Sequence, residues 1–395
     1  MLAQAAGKVY LAGPYHGSAL SIVSITAAKV GPFDLGTVVI RFALRINPIT
    51  AQVEIDSAGS DPIPHIIDGI VVNVREIHAY INRPKFILNP TSCNPMAIQN
   101  TVSGAGADFT NPADQVPVLV SSPFQAADCA NLAFKPAFKV STSGKTSKAD
   151  GASLSVKLIY PVAPQGTQAN IRRVKVDLPK QLPSRLTTLQ KACTAAQFNI
   201  NPAGCPAASV VGHATAITPI LPVPLEGPAY FVSHGGEAFP SLIVVLQGYG
   251  LTIDLVGTTF ISHAGVTSST FKTVPDQPVT SFELTLPEGP YSALAANGNL
   301  CALTKTVTVK KRVVLKRHGH AVRRHGKVVH VTRKVKKTKG GRALNHLAMP
   351  TAFVAQNGAE IHETTPISVT GCTKAVHAKK AKRKARKKGK HGKNK

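Results

Sequence analysis

The sequence predicts an all-β chain: tandem antiparallel β-sandwich (Ig-like) domains, one short helix and a basic, disordered tail. Three observations predict it. Polar and apolar residues alternate along short runs, the chain repeats itself, and turn residues punctuate it closely, with 31 Gly, 29 Pro and no Trp. Alternation with period two puts one face of a strand in a core and the other in water. Gly and Pro mark the breaks between such strands.

The repeat orders the elements. "KVYLAGPYHGS" from Lys8 returns as "PAYFVSHGGEA" from Pro228. "GTVVIRFALRINPITAQVEI" lies over "SLIVVLQGYGLTIDLVGTTF", and "IVVNVREIHAYINRP" over "VPDQPVTSFELTLPEGP". Cys93 then meets Cys301, and Cys129 meets Cys372. An internal duplication is the economical reading, with copies at 8–129 and 228–372. The first copy lacks a counterpart of residues 134–227. It begins in mid-repeat, without a charged n-region or apolar h-region, so the expectation is a chain truncated at its N-terminus with its leader upstream. The expected domains are a smaller sandwich at 1–133, a larger one at 134–374 with roughly seven to nine strands, and a tail at 375–395.

Within the larger domain, "ASLSVKLIYP" sends Leu154, Val156 and Leu158 one way and Ser155 and Lys157 the other. "RRVKVDLP" and "SFELTLP" read alike. One helix is expected near 184–198, in "LPSRLTTLQKACTAAQF", with Ser184 as N-cap and Leu186, Leu189, Cys193 and Ala196 at near-helical spacing. No apolar run approaches the length of a bilayer span, so no transmembrane segment is expected.

The six Cys are even in number and show no CxxC metal spacing, which points to three disulfides and an exported protein. Matching positions in the two copies pair Cys93 with Cys129 and Cys301 with Cys372, each stapling the last hairpin of its domain. Cys193 and Cys205 then close on each other, a small loop worth about 3 kcal/mol in the chain-entropy model.

The net charge of +27 is confined. Residues 305–346 carry 15 Lys/Arg and residues 373–395 carry 12, with no acid in either, while the rest of the chain balances 19 basic against 19 acidic residues. A neutral body thus bears two basic appendages. The first, "TVTVKKRVVLKRHGHAVRRHGKVVHVTRKVKKTKGG", keeps β-branched residues in alternation around His-Gly turns and reads as a protruding two-stranded ribbon. The second, "AKKAKRKARKKGKHGKNK", has no apolar residue larger than Ala and reads as disordered.

Other motifs weigh less. "STSGKTSKADG" ends like a phosphate-binding loop, but Lys139 holds the place of the first Gly and a strand follows instead of a helix, so it reads as a polar interdomain turn. Ser233, His234 and Glu237 lie too close in sequence for a catalytic triad and read as a repeated turn. His318, His320, His325 and His330 crowd together, but neighbouring Lys and Arg repel a metal cation. No cofactor is expected.

The run "LPKQLPSRLTTLQKACTAAQFNINPAGCPAASVVGHATAITPILPVPLEGPAYFVSHGG", with "LTLPEGPYSALAANGNLC" and "MPTAFVAQNG", resembles a family of large, repetitive, uncharacterised exported proteins of high-GC Gram-positive bacteria. The resemblance covers nearly the whole chain. It implies a secreted or surface-exposed β-rich protein, and it carries no established activity and no functional residue. Members of that family begin well before this chain does.

The functional expectation is a non-enzymatic secreted or cell-surface protein, a scaffold whose appendages hold anionic cell-envelope polymers or acidic glycans. The expected contacts are Lys310, Lys311, Arg312, Lys316, Arg317, Arg323, Arg324, Lys327, Arg333, Lys334, Lys336 and Lys337 on the ribbon. On the tail they are Lys379, Lys380, Lys382, Arg383, Lys384, Arg386, Lys387 and Lys388. Nucleic-acid binding is the alternative; the lack of aromatic residues for stacking and of a base-reading motif disfavours it. A carbohydrate-active enzyme on the same fold stays open, although no paired carboxylates announce one.

Overall fold

The computed structural model describes residues 5–84, 86–103, 116–301, 304–340 and 347–372. The chain opens with a four-stranded antiparallel meander, β1 (Gly7–Ala12), β2 (Leu20–Val30), β3 (Phe33–Ile46) and β4 (Val53–Asp56), paired in that order. Two hairpins follow: β5 (Ile66–Ile67) with β6 (Ile70–Val71), and β7 (Met96–Ser103) with β8 (Pro117–Phe124).

The second half continues with β9 (Ala137–Ser143), β10 (Leu154–Ile159), β11 (Ile171–Asp177), α1 (Leu186–Leu189), β12 (Cys193–Thr194) and α2 (Ala195–Ile200). Then come β13 (Val210–Ile217), β14 (Leu225–Ser233), β15 (Ser241–Gly248), β16 (Leu251–Ile261), β17 (Thr267–Phe271) and β18 (Ser281–Leu286). The basic segment forms β19 (Thr304–Val314), β20 (Lys316–Arg317), β21 (His320–Ala321), β22 (Arg323–Arg324), β23 (Lys327–Val328) and β24 (His330–Gly340). A hairpin of β25 (Ala348–Ala355) and β26 (Glu360–Thr370) is the last element among the described residues.

The chain is all-β, as expected, but its main sheet is an 11-stranded barrel and not a sandwich. The order runs β14-β13-β18-β10-β9-β26-β25-β11-β17-β16-β15, and β15 pairs back onto β14. An odd number of strands cannot alternate in direction all the way round a ring, so one neighbouring pair must be parallel. That pair is β9 with β26, the first and last strands of the barrel; every other neighbour is antiparallel. The period-two pattern of a strand is the same in a sandwich and in a barrel, so the sequence did not separate them.

Core residues point inward from every side: Val140, Leu154, Phe231, Val244, Leu284 and Ile367 belong to one cluster. Loops fill the barrel's end. Residues 181–185 run beside 293–297, with Arg185 donating to the Ala293 carbonyl and Ala295 to that of Pro183, at 2.8 Å each. They insert Leu182 and Leu294 into the core. Charged residues take the outer face, where Lys157 meets Glu283 at 3.0 Å. A barrel facing lipid has the opposite arrangement.

The expected helix at 184–198 is broken. Cys193 and Thr194 are extended and lie parallel to Val232 and Ser233 of β14. Thr194 then caps α2 by accepting from the Gln197 amide, whereas Ser184 is not an N-cap and donates its amide to Thr267. The apolar residues that suggested helical spacing serve two cores. Leu189 packs inside the barrel, while Cys193 and Phe198 cover Tyr230, Val232, Ile243 and Val245 on its outside. That cover explains why "SLIVVL" is apolar without alternation: β15 is buried on both faces.

The three disulfides join Cys93 to Cys129, Cys193 to Cys205 and Cys301 to Cys372. These are the expected pairs. One detail differs: the interval between Cys301 and Cys372 holds two hairpins, the basic ribbon and β25–β26, where one was expected. Cys301–Cys372 sits at the parallel seam, against Gly144 at the end of β9, where a Cβ would collide with Cys301 Sγ.

The first copy is also not a sandwich. Its meander has the order of β14–β17, so Leu20–Val30, and not the start of the stretch at 36–55, holds the place of β15. Register puts Val9, Leu11, Leu20, Ile22, Ile40, Phe42, Leu44, Ile46, Val53 and Ile55 on one face. The three buried core clusters all come from residues beyond 133, and none lies on this face. The other face carries a polar network in which Tyr15 and the Arg41 amide both donate to Asp61, at 2.6 and 2.7 Å. "IVVNVREIHAYINRP" forms no strand from residue 72 onward, although its counterpart contains β18. β18 is held between β10 and β13, whereas among the described residues no strand pairs with residues 72–83.

Candidate polyanion-binding site

The basic segment forms the ribbon expected of it, with an unexpected tip. β19 and β24 pair antiparallel from Thr304↔Gly340 to Val314↔His330. That register sets Lys310 opposite Lys334 and Lys311 opposite Arg333.

Beyond Val314 the chain makes two small lobes. His318 and Gly319 have φ of 47° and 83°, and His325 and Gly326 of 47° and 75°. Two consecutive residues at positive φ make the tight turn that matches strand twist. Each turn closes a two-pair hairpin, β20–β21 and β22–β23. Asn and Asp tolerate the first of these positions best, and His is next among enriched residues. The same His-Gly turn occurs at His16 and Gly17, with φ of 44° and 83°.

Three backbone hydrogen bonds close the junction into a ring. Leu315 donates to the Val329 carbonyl, Val329 to that of Val322 and Val322 to that of Leu315, each at 2.8 Å. These residues are seven apart, and their side chains are half-buried together with Val328. The result is a three-lobed knot: the ribbon and two hairpins meet at one apolar point. Lys316, Arg317, Arg323, Arg324 and Lys327 are all exposed around it. Arg323 donates to the Gly326 carbonyl at 3.2 Å. No carboxylate exists within residues 305–346, and none of the ion pairs among the described residues involves the tip.

Arg312 is likewise exposed, on β19 just below the knot. Lys336 and Lys337 lie on β24, opposite Thr308 and Val307. Lys379, Lys380, Lys382, Arg383, Lys384, Arg386, Lys387 and Lys388 lie outside the described residues. His318 and His325 stand at the turns, and His330 Nδ1 contacts the Val328 carbonyl at 3.1 Å. The knot was not anticipated, though its signal was present: "LKRHGHA" and "VRRHGKV" are a seven-residue repeat with His-Gly at the same offset.

The weaker motifs resolve as turns. "SGKTSKADG" joins β9 to β10, so it is a hairpin loop within the barrel and not an interdomain turn. Ser147 accepts from the Asp150 amide and donates to its carboxylate, both at 2.8 Å. The loop lines an open cleft of about 880 Å³ with Glu288 and Asn299. Glu237 accepts from the His234 amide at 2.8 Å. Backbone hydrogen bonds hold its carboxyl below the usual range, first its own amide's and then that of His234. A second groove, of about 530 Å³, crosses the outside of the barrel between Arg173, Lys175, His362 and Glu363.

No helix among the described residues is long and apolar enough to cross a membrane. No family model, curated protein or solved structure matches the chain.

Proposed function

We propose that the protein works outside the cytoplasm as a non-enzymatic binding or structural protein, with the barrel as scaffold and the basic ribbon and tail as a contact for phosphate-rich or acidic polymers of the envelope or matrix. The observation that supports this best is the three-lobed tip, where five exposed Lys and Arg residues surround a small hydrogen-bonded knot with no carboxylate in the segment. Clustered cations near a polyanion gain by releasing its counterions. Three disulfides suit an oxidising compartment.

The test is a competition titration joined to cell fractionation. Labelled polyphosphate bound to the intact protein should be displaced by teichoic-type polymers and acidic glycans, and the protein should fractionate with the envelope or medium. Duplex DNA should compete only by charge, with no sequence preference, since phosphate contacts carry no base information. Sequence-selective competition, or recovery with the nucleoid, would favour nucleic-acid binding and refute the reading.

A further inference from the structure

The two small lobes of the tip are built alike. "KRHGHA" from Lys316 and "RRHGKV" from Arg323 hold the same places in their hairpins. In the first lobe Lys316 pairs with Ala321 and Arg317 with His320. In the second Arg323 pairs with Val328 and Arg324 with Lys327. Residues directly opposite on an antiparallel pair share a face, with Cβ atoms about 5 Å apart. Each lobe thus sets two nitrogen-bearing side chains side by side: Arg324 with Lys327, and Arg317 with His320. All four residues are exposed. Among the described residues, none of these four side chains has a hydrogen bond or ion pair.

One difference between the lobes bears on charge. Where the second has Lys327, the first has His320. Arg and Lys stay cationic at neutral pH, whereas an imidazole gains its charge only below about pH 6.5. Three other imidazoles stand at the tip, but none is paired with a cation across a ladder. His318 and His325 are the first residues of the two turns. His330 pairs with Val314, and its Nδ1 contacts the Val328 carbonyl. The charged groups around His320 are Lys316 and Arg317 on its own lobe, Arg323, Arg324 and Lys327 on the other, and Arg312 and Arg333 on the strands below. Residues 305–346 contain no carboxylate to offset them.

We propose that each lobe is a subsite for one phosphate group of a phosphate polymer, held between the two members of its cross-strand pair. The Arg324/Lys327 subsite is complete at every physiological pH. The Arg317/His320 subsite is complete only when His320 is protonated. Guanidinium, ammonium and imidazolium all give charge-assisted hydrogen bonds to phosphate oxygens. A neutral imidazole offers one donor and no charge, so at higher pH the first lobe holds phosphate through Arg317 alone. A polymer with phosphates at regular intervals gains from two such subsites, since filling one raises the effective concentration at the other. The inference rests on the reading of the tip as a polyanion contact, and it makes that contact tighten on acidification.

The test titrates the full chain with long linear polyphosphate, whose internal groups keep their charge throughout the range. Affinity should rise several-fold between about pH 8 and about pH 5.5, on either side of the imidazole range. The salt dependence should steepen by about one unit, as fits one added phosphate contact. His320→Lys should bind at the higher pH as the native chain does at the lower, and His320→Gln should stay weak at both. Lys327→His should weaken binding at the higher pH and recover it on acidification. His318→Asn with His325→Asn keeps the turns, because Asn accepts positive φ, and should retain the native pH response. A native pH response that survives both His320 substitutions overturns the proposal and leaves the basic tip as the contact. So does unchanged binding by Lys327→His at the higher pH. If replacing residues 315–329 with an Asn-Gly turn changes affinity at neither pH, the tip is not the contact, and the proposed function falls with this one.

Discussion

Arg185 donates to four main-chain carbonyls, those of Gly289, Pro290, Lys148 and Ala149, at 2.8 to 3.3 Å. It clamps the hairpin loop that resembles a phosphate site to the loop beside β18, and so gives "SGKTSKADG" a structural purpose. Arg185→Ala should cost about 2 kcal/mol, since hydrogen bonds from a charged donor contribute about 1.5–3 kcal/mol. Arg185→Lys should recover only part of that, because a single ammonium cannot reproduce the fork; chemical denaturation measures both. Asp254 presents the opposite case. Its Oδ1 is buried without a hydrogen-bond partner among the described residues, and burial raises its pKa. A carboxyl whose folded pKa lies above its unfolded value costs stability at pH above the folded pKa. The cost disappears as pH falls below the unfolded value. Asp254→Asn should therefore raise the melting temperature at pH 7, and the gain should shrink as pH falls toward the ordinary Asp range. A gain independent of pH would rule out the carboxylate's charge as its cause.

At the level of elements, alternation and turn chemistry were legible because each is decided by neighbours in sequence, and the paired cysteines because matching positions in the two copies ordered them. "ASLSVKLIYP" folds as read: Leu154 and Val156 face the main core, and Leu158 a smaller cluster with Tyr160, Ile171 and Phe353. The His-Gly positions at 318 and 325 are turns, as read. The helix at 184–198 was misread because Leu189 and Cys193 face two different cores, which no local spacing reveals. Barrel closure was hidden for a related reason: it depends on β9 meeting β26, more than two hundred residues apart. The knot was legible in its turns but not in its ring of hydrogen bonds, which joins residues across both lobes. Two predictions belong here. A Cβ at Gly227 would collide with the Val245 carbonyl across the β14–β15 pair. Gly227→Val should therefore cost several kcal/mol, at the severe end for single substitutions, and lower soluble yield. Replacing Cys301 and Cys372 together should cost about 4 kcal/mol in the chain-entropy model. It should speed amide exchange in β26 more than in β15, since the bridge sits at the parallel seam. Equal exchange across both strands would contradict that placement.

For the whole molecule, the charge asymmetry is the feature that most needs a use. The barrel's surface charges are of both signs and partly paired, while the ribbon concentrates cations at a knot that stands on two strands. Val314 and His330 already face each other in register. Residues 315–329 can thus be replaced by an Asn-Gly turn without disturbing the ladder below, and the tail can be cut at 374. No residue of 315–329 belongs to a core cluster, so circular dichroism and the melting temperature should be unaffected. The decisive measurement is retention of intact and doubly trimmed protein on a polyphosphate matrix across a salt series. The intact protein should bind at low salt and elute with a steep dependence on ionic strength, because each neutralised phosphate adds to the slope. The trimmed protein should bind far more weakly, with a markedly shallower slope. Equal retention of the two proteins would place the contact on the barrel and contradict the account.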